Sequence, residues 1–265
     1  MARRDTESII QRSDRRESMP FQGKQTDTCC FLFLDKSAGK TRPGLTWKEL
    51  TWLRDKVKII FLGDSITDAD HNLYPGNPSE PCLGDGYVRQ IADILRMRMP
   101  GRTDIRNGGH DGFTVQGLLR MLEYDCLSRR PDVVSILIGS NDAAVCMNTG
   151  RTLEETYFAE NYRALLGRIR GATEGCLVCM GPFIFPQPLE YSRWIPVIQE
   201  IEETERKIAA EHRALFIPLH NLLNREAERS GYQRLTADGI HLTREGAEIV
   251  ARAWIQETDR AGIFI

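Results

Sequence analysis

The sequence lacks a hydrophobic run long enough to span a membrane; no window approaches the roughly 18 apolar residues that a span requires. It also lacks an excess of either charge. Lys and Arg number 35 against 37 Asp and Glu, a formal net charge of −2. General binding to nucleic acid or to an anionic membrane draws on a strong basic excess, so neither is expected. The seven cysteines are odd in number, and their spacings form no disulfide framework. The longest apolar stretch near the start, at 29–34, is six residues long. It is too short, and too far from Met1, for a signal-peptide core. A reducing, cytoplasmic setting is therefore expected. No Gly-x-Gly-x-x-Gly or Gly-Lys-Ser/Thr string is present, so no phosphate cradle for a nucleotide is expected. There are no internal repeats and no low-complexity tract.

What is present is the composition of a soluble globular chain. Of 265 residues, 41% are hydrophobic and 27% charged, enough apolar material for one large domain or two small ones. The first 48 residues differ from the rest. They hold ten Lys/Arg against six Asp/Glu (+4), and the remainder holds 25 against 31 (−6), which sum to −2. Residues 1–19 carry almost no apolar side chains and no period. The expected organisation is an N-terminal extension over 1–48, disordered or loosely packed, and one domain over 49–265. A basic arm for a partner, a solvated tail and a true start at Met19 are alternative readings of the extension. A short helix at 46–54 is expected to lead into the domain.

From residue 56 onward short apolar runs alternate with amphipathic ones. Strands are predicted at 57–62, 103–106, 132–138, 176–180 and 214–217. Helices are predicted at 86–99, 114–127, 153–170, 194–212 and 243–258. Residues 86–99 carry Val88, Ile91, Ile94 and Leu95 at helical spacing before Pro100-Gly101, and 194–212 places Ile198, Ile201 and Ile208 on one face. Short strands each followed by a helix imply parallel pairing through right-handed crossovers. The predicted fold is a three-layer α/β/α sandwich with a five-stranded parallel sheet, doubly wound and flavodoxin-like. In such sheets ligands bind beyond the C-terminal strand ends, so the residues that follow each strand are the functional candidates.

After strand one comes Gly63-Asp64-Ser65-Ile66-Thr67. A serine between a strand and a helix is a candidate nucleophile, and backbone N–H groups there can face a developing oxyanion. Such a serine can equally be a helix cap. After strand two comes Asn107-Gly108-Gly109-His110-Asp111-Gly112-Phe113-Thr114, whose glycines allow close backbone approach to a ligand or a tight turn. After strand three comes Gly139-Ser140-Asn141-Asp142. Asn141 there can aim its amide into the same crevice as an oxyanion donor, or serve as a turn residue. Before the last helix stands Asp238-Gly239-Ile240-His241. Asp-x-x-His in one turn can hold a carboxylate on one imidazole nitrogen and leave the other free to take a hydroxyl proton.

These four blocks, in this order and at these strand ends, resemble the SGNH (GDSL-type) hydrolase superfamily over about residues 56–258. The resemblance matches Ser65, Gly109, Asn141, and His241 with Asp238. Departures are Ile66, where the family name has Leu, and Gly108, where a larger residue often precedes the block-two glycine. It implies a catalytic Ser65–His241–Asp238 triad and an oxyanion hole made by Ser65 N–H, Gly109 N–H and the Asn141 amide. It also implies an acyl-enzyme and no metal or other cofactor. Asp64-Ser65-Ile66-Thr67-Asp68, followed by Leu83-Gly84-Asp85-Gly86-Tyr87-Val88, looks like the bacterial carbohydrate-esterase branch, which includes acetylxylan esterases. The expected partner is a small-molecule ester, an acetylated oligosaccharide, with a homo-oligomer left open. A lysophospholipase or thioesterase of the same fold, and a non-catalytic carbohydrate-binding protein, are the competing readings.

Asp64, His110, Tyr191 and Trp194 are candidate substrate contacts. Asp64 is also expected to brace its loop, His110 to serve a turn, and the two aromatics either to stack on a sugar or to pack on the following helix. His71 is weighed like His110. Cys176-x-x-Cys179 invites a redox or zinc reading, but an odd separation in a strand puts the two on opposite faces, so buried thiols are expected.

Overall fold

The computed structural model describes residues 56–71 and 82–264. These lie in a compact unit that spans Leu45–Ile265. The extension expected at 1–48 and the helix expected at 46–54 fall outside the described residues.

Five strands form one sheet in the order β2-β1-β3-β4-β5: β1 Val57–Gly63, β2 Thr103–Gly109, β3 Val133–Leu137, β4 Cys176–Met180 and β5 Leu215–Ile217. Every pairing is parallel. β1 pairs on both sides and runs Val-Lys-Ile-Ile-Phe-Leu-Gly, with every residue but Lys58 buried. That is the near-continuous apolar run of a strand covered on both faces. Its side chains divide with a period of two: Ile59 and Phe61 enter one core cluster, Ile60 and Leu62 the other.

The helices are α1 Ser65–Asp68, α2 Tyr87–Arg98, α3 Val115–Asp125, α4 Ser140–Thr149, α5 Phe158–Ala172, α6 Ile195–Glu211, α7 His220–Ser230, α8 Tyr232–Leu235 and α9 Arg244–Arg260. On one face of the sheet α2 and α9 bury Tyr87, Ile91, Leu95, Val250 and Trp254. The Trp254 indole N–H donates to Ser135 Oγ on β3 at 3.0 Å, which satisfies two buried polar groups at once. On the other face α3, α5 and α6 bury Leu118, Leu122, Tyr162, Leu166, Ile198 and Ile201. Cys176 packs toward the first cluster and Cys179 lies within the second, so the pair does sit on opposite faces.

The predicted sandwich and all five strands are present. Four helices, α1, α4, α7 and α8, have no counterpart among the helices expected from the sequence. α4 begins directly at Ser140, because Gly139 takes φ +117, a conformation that favours glycine. α7 and α8 are short and polar, and the buried positions along α7 reduce to His220, Leu223 and Ala227. Register aligns the carboxyl ends of the first three strands. Gly63 stands opposite Gly109 on one side and Leu137 on the other. The order of the strands reverses between β1 and β3, so a crevice opens there.

Candidate active site

Ser65 owes its place to the residues around it. A Cβ at Gly63 would run into the Thr67 hydroxyl and the Leu137 carbonyl, so only glycine lets α1 fold back this tightly onto β1. Asp64 is the N-cap of α1, with its Oδ1 accepting the Ile66 N–H at 3.0 Å. Ile66 and Thr67 are buried, and Thr67 Oγ1 is 2.8 Å from the Tyr87 hydroxyl. The short helix is thereby pinned while Ser65 stays half-buried at the crevice. The Ser65 N–H has no acceptor among the described residues.

Ser65 Oγ lies 3.0 Å from His241 Nε2, and His241 Nδ1 lies 2.6 Å from Asp238 Oδ2. The other oxygen, Asp238 Oδ1, accepts the N–H groups of Ile240 at 2.9 Å and His241 at 2.8 Å. Burial works against ionising Asp238, but the His241 ring and these two N–H donors win and lower its pKa. The turn itself is braced. Thr236 Oγ1 accepts the Gly239 N–H and donates to the His241 carbonyl, both at 2.8 Å, and Phe185 N–H donates to the Gly239 carbonyl at 3.0 Å. The pair stays open to solvent, with about half of each side chain exposed (51% for His241, 48% for Asp238).

The Asn141 amide donates one N–H to the Phe113 carbonyl at 2.9 Å, which leaves its second N–H uncommitted. The next residue, Asp142, accepts the Val115 N–H at 3.1 and 3.3 Å through its two oxygens. Burial pushes Asp142 up to about 7, against the pull of that N–H.

The block after β2 corrects one expectation. The Gly109 N–H is taken by Asn107 Oδ1 at 2.9 Å, so it is not free to meet an oxyanion. Gly109 is needed for packing, since a Cβ there would strike the Asp68 backbone nitrogen. Gly112 is the glycine left open. It is exposed at φ +71, a Cβ would meet nothing within 4 Å, and its N–H has no acceptor among the described residues. Asp64 is not placed to touch a substrate either. It is 1% exposed, with Oδ2 buried and without a hydrogen-bond partner among the described residues, and burial raises it to about 7.

His110 is engaged within the protein: Nε2 is 2.8 Å from Asp125 Oδ2, and the ring stacks on Phe113 at 4.4 Å. His71 is paired with Asp68, Nδ1 to Oδ1 at 2.7 Å. Tyr191 and Trp194 are partly buried against the core in an edge-to-face pair with ring centroids 5.1 Å apart. Tyr191 also covers the acid–base turn, because a Cβ at Gly239 would meet its ring at 2.7–2.9 Å. Burial and then the Asp238 charge raise the Tyr191 pKa.

Asn107 has a role that no local motif in the sequence signals. Its Nδ2 reaches the carbonyls of Thr67 (2.6 Å), Leu83 (2.9 Å) and Asp68 (3.2 Å). It thus ties β2 to α1 and to the chain that enters α2. Among the described residues no group of three or more His, Cys, Asp or Glu could hold a metal ion. No helix among them is long and apolar enough to cross a membrane. The arrangement can pass a proton from the Ser65 hydroxyl to an imidazole backed by a carboxylate.

Residues 61–249 match the GDSL-like Lipase/Acylhydrolase family. An acetylxylan esterase from Geobacillus stearothermophilus is 30% identical over 208 residues, 76% of this chain and 93% of that protein. Among solved structures, a Parabacteroides merdae protein classed as a GDSL-like lipase aligns with a TM-score of 0.70 at 29% identity, over 78% of this chain and 97% of that one. The acetylxylan esterase Axe2 of Geobacillus stearothermophilus aligns with a TM-score of 0.67 at 26% identity, over 77% and 95%. Axe2 is also solved as catalytic mutants at a serine, an aspartate and a histidine, the last two three positions apart.

Proposed function

The chain belongs to the GDSL-like lipase/acylhydrolase family and is a carboxylic ester hydrolase, and on that premise we propose that it removes small acyl groups, acetyl above all, from carbohydrate. The observation that carries this reading is the relay Ser65 Oγ–His241 Nε2 at 3.0 Å and His241 Nδ1–Asp238 Oδ2 at 2.6 Å.

Ser65 Oγ attacks the ester carbonyl as its proton passes to His241 Nε2. Asp238 keeps the imidazole proton on Nδ1 and stabilises the imidazolium. The carbonyl oxygen becomes an oxyanion, received by the Ser65 N–H, the Gly112 N–H and the second Asn141 N–H. Donors held in place before the charge appears are the effective ones. The tetrahedral intermediate collapses with cleavage of the bond to the alcohol oxygen, which takes the proton from His241. Water then attacks the acyl-Ser65 ester, with His241 as base, and releases the acid.

Acetyl preference is supported by the exposure of the acid–base pair and by similarity to acetylxylan esterases. A carbohydrate alcohol is supported by Tyr191, whose ring stands beside the Asp238–His241 turn and pairs edge-to-face with Trp194. The test is kcat/KM for p-nitrophenyl esters from acetyl to octanoyl, together with acetate release from acetylated xylo-oligosaccharides. Acetyl is expected to be best and octanoyl barely turned over. Each buried CH₂ contributes about 0.8 kcal/mol, so a lipid pocket gives kcat/KM that climbs along the series. Such a climb would assign the chain to the lysophospholipase or thioesterase reading instead.

A further inference from the structure

Gly112, the proposed oxyanion donor, sits in the turn closed by the Phe113 N–H on the His110 carbonyl at 3.2 Å. Gly112 is exposed, and beyond its chain neighbours no atom of the described residues lies within 4 Å of its Cβ position. Before it, His110 donates its N–H to the Gly63 carbonyl at 3.1 Å and its ring meets Asp125 at 2.8 Å; after it, α4 supplies the hold. The Phe113 carbonyl accepts from Asn141 Nδ2, and the Val115 N–H donates to Asp142. Both partners are consecutive residues in the first turn of α4. Val115 is the first residue of α3, whose N-cap Thr114 makes no side-chain cap hydrogen bond. Asp142 therefore supplies, from a neighbouring helix, the acceptor that an N-cap side chain would normally give. Asp142 is only 5% exposed, so water does not readily replace that acceptor.

We infer that Asp142 is a positioning residue: by accepting the Val115 N–H it fixes the backbone that presents the Gly112 N–H to the oxyanion. The inference rests on the reading of Gly112 as an oxyanion donor. One rigid turn then carries the Asn141 donor and sets the Gly112 donor, so both keep a common geometry toward Ser65. Displacement of a donor by a fraction of an ångström weakens stabilisation of the transition state more than substrate binding.

The test uses three variants of the full chain. Asp142→Ala removes the acceptor, Asp142→Asn keeps a carbonyl oxygen at the same place, and Val115→Pro removes the donor. Proline suits the first position of a helix, and Thr114 is already extended at ψ 174°. Asp142→Ala and Val115→Pro are each expected to lower kcat for p-nitrophenyl acetate by about 10–100-fold, with KM changed less than about threefold. The double variant should lose no more than either single one, and Asp142→Asn should recover most of the loss. Methylboronic acid, which forms a tetrahedral adduct on a serine, provides the second readout in ¹⁵N-glycine-labelled protein. The Gly112 amide resonance should shift on adduct formation in the parent and shift much less in Asp142→Ala and Val115→Pro.

A folded Asp142→Ala or Val115→Pro protein with kcat within about threefold of the parent overturns the proposal. So does a Gly112 amide that shifts equally in parent and variants, which leaves the donor role of Gly112 intact. A Gly112 amide that ignores the adduct in the parent overturns the donor reading itself. If Asp142→Ala does not fold, Val115→Pro carries the same test with the carboxyl left in place.

Discussion

Replacing Asp238 by Asn should harm the enzyme more than replacing it by Ala, and the reason lies in the turn. Asp238 Oδ1 accepts two backbone N–H groups, from Ile240 and His241, while Oδ2 faces His241 Nδ1 at 2.6 Å. In Asp238→Asn those two donors select the orientation that keeps the amide oxygen on their side. The NH₂ group must then face Nδ1 and donate to it. His241 is held as the tautomer with its proton on Nε2, the atom that has to accept from Ser65 Oγ. A wrong tautomer of this kind lowers kcat by about 10⁴-fold, equivalent to about 5.5 kcal/mol of barrier. Asp238→Ala imposes no tautomer. Because 51% of the His241 side chain is exposed, water can solvate Nδ1, and the loss should stay nearer 10²–10³-fold, about 3–4 kcal/mol. The assay is kcat for p-nitrophenyl acetate in parent and both variants, with ¹⁵N imidazole shifts of His241 to report the tautomer. Equal activity in the two variants, or Asn more active than Ala, would refute the claim that Asp238 acts by fixing the imidazole proton.

Other outcomes follow from the same geometry. Asn141→Ala should lower kcat about 10²–10³-fold with little change in KM, since the free amide N–H meets only the developing charge; a pure KM effect would make it a ground-state contact. Stability should fall as pH rises from 3.8 toward about 7, because burial raises both Asp64 and Asp142 over that interval. The folded chain keeps protons that the unfolded chain releases, so unfolding is favoured as pH climbs through the window. Glu205 adds to this trend: burial raises it well above its ordinary 4.5, and neither carboxyl oxygen has a hydrogen-bond partner among the described residues. Glu205→Gln should therefore narrow the difference in Tm between about pH 5 and about pH 8, and an unchanged difference would speak against a proton held there. EDTA should leave the rate unaltered, because the proposed steps use no metal; loss on chelation with recovery on adding one metal would contradict the triad.

Much of this architecture was legible because its signals are local. β1, β3 and β4 are buried on both faces, so their apolar runs stand out without any partner being known. α7 escaped notice because its sequence, His-Asn-Leu-Leu-Asn-Arg-Glu-Ala-Glu-Arg-Ser, offers few apolar residues to a periodic reading. The serine and the Asp-x-x-His turn were readable for a similar reason: each is a short motif whose geometry closes within a few residues. The choice between Gly109 and Gly112 was not readable. Asn107-Gly-Gly-His-Asp-Gly offers three glycines, and only the Asn107 side chain, folding back onto Gly109, decides which N–H stays open. Glu205 did leave a trace. It falls on the helical stripe of Ile198, Ile201 and Ile208, a charged residue where the period calls for an apolar one. The role of Asp142 needed three dimensions, since its partner Val115 lies 27 residues away.

The central claim is that Ser65 is the nucleophile, and covalent labelling tests it most directly. The full chain is treated with a fluorophosphonate, digested, and the modified peptide sequenced by mass spectrometry. The account predicts one adduct, on Ser65 Oγ, formed rapidly in the parent, slowly in His241→Ala and not at all in Ser65→Ala. An adduct on another residue, or labelling and turnover that persist in pure Ser65→Ala protein, would contradict it.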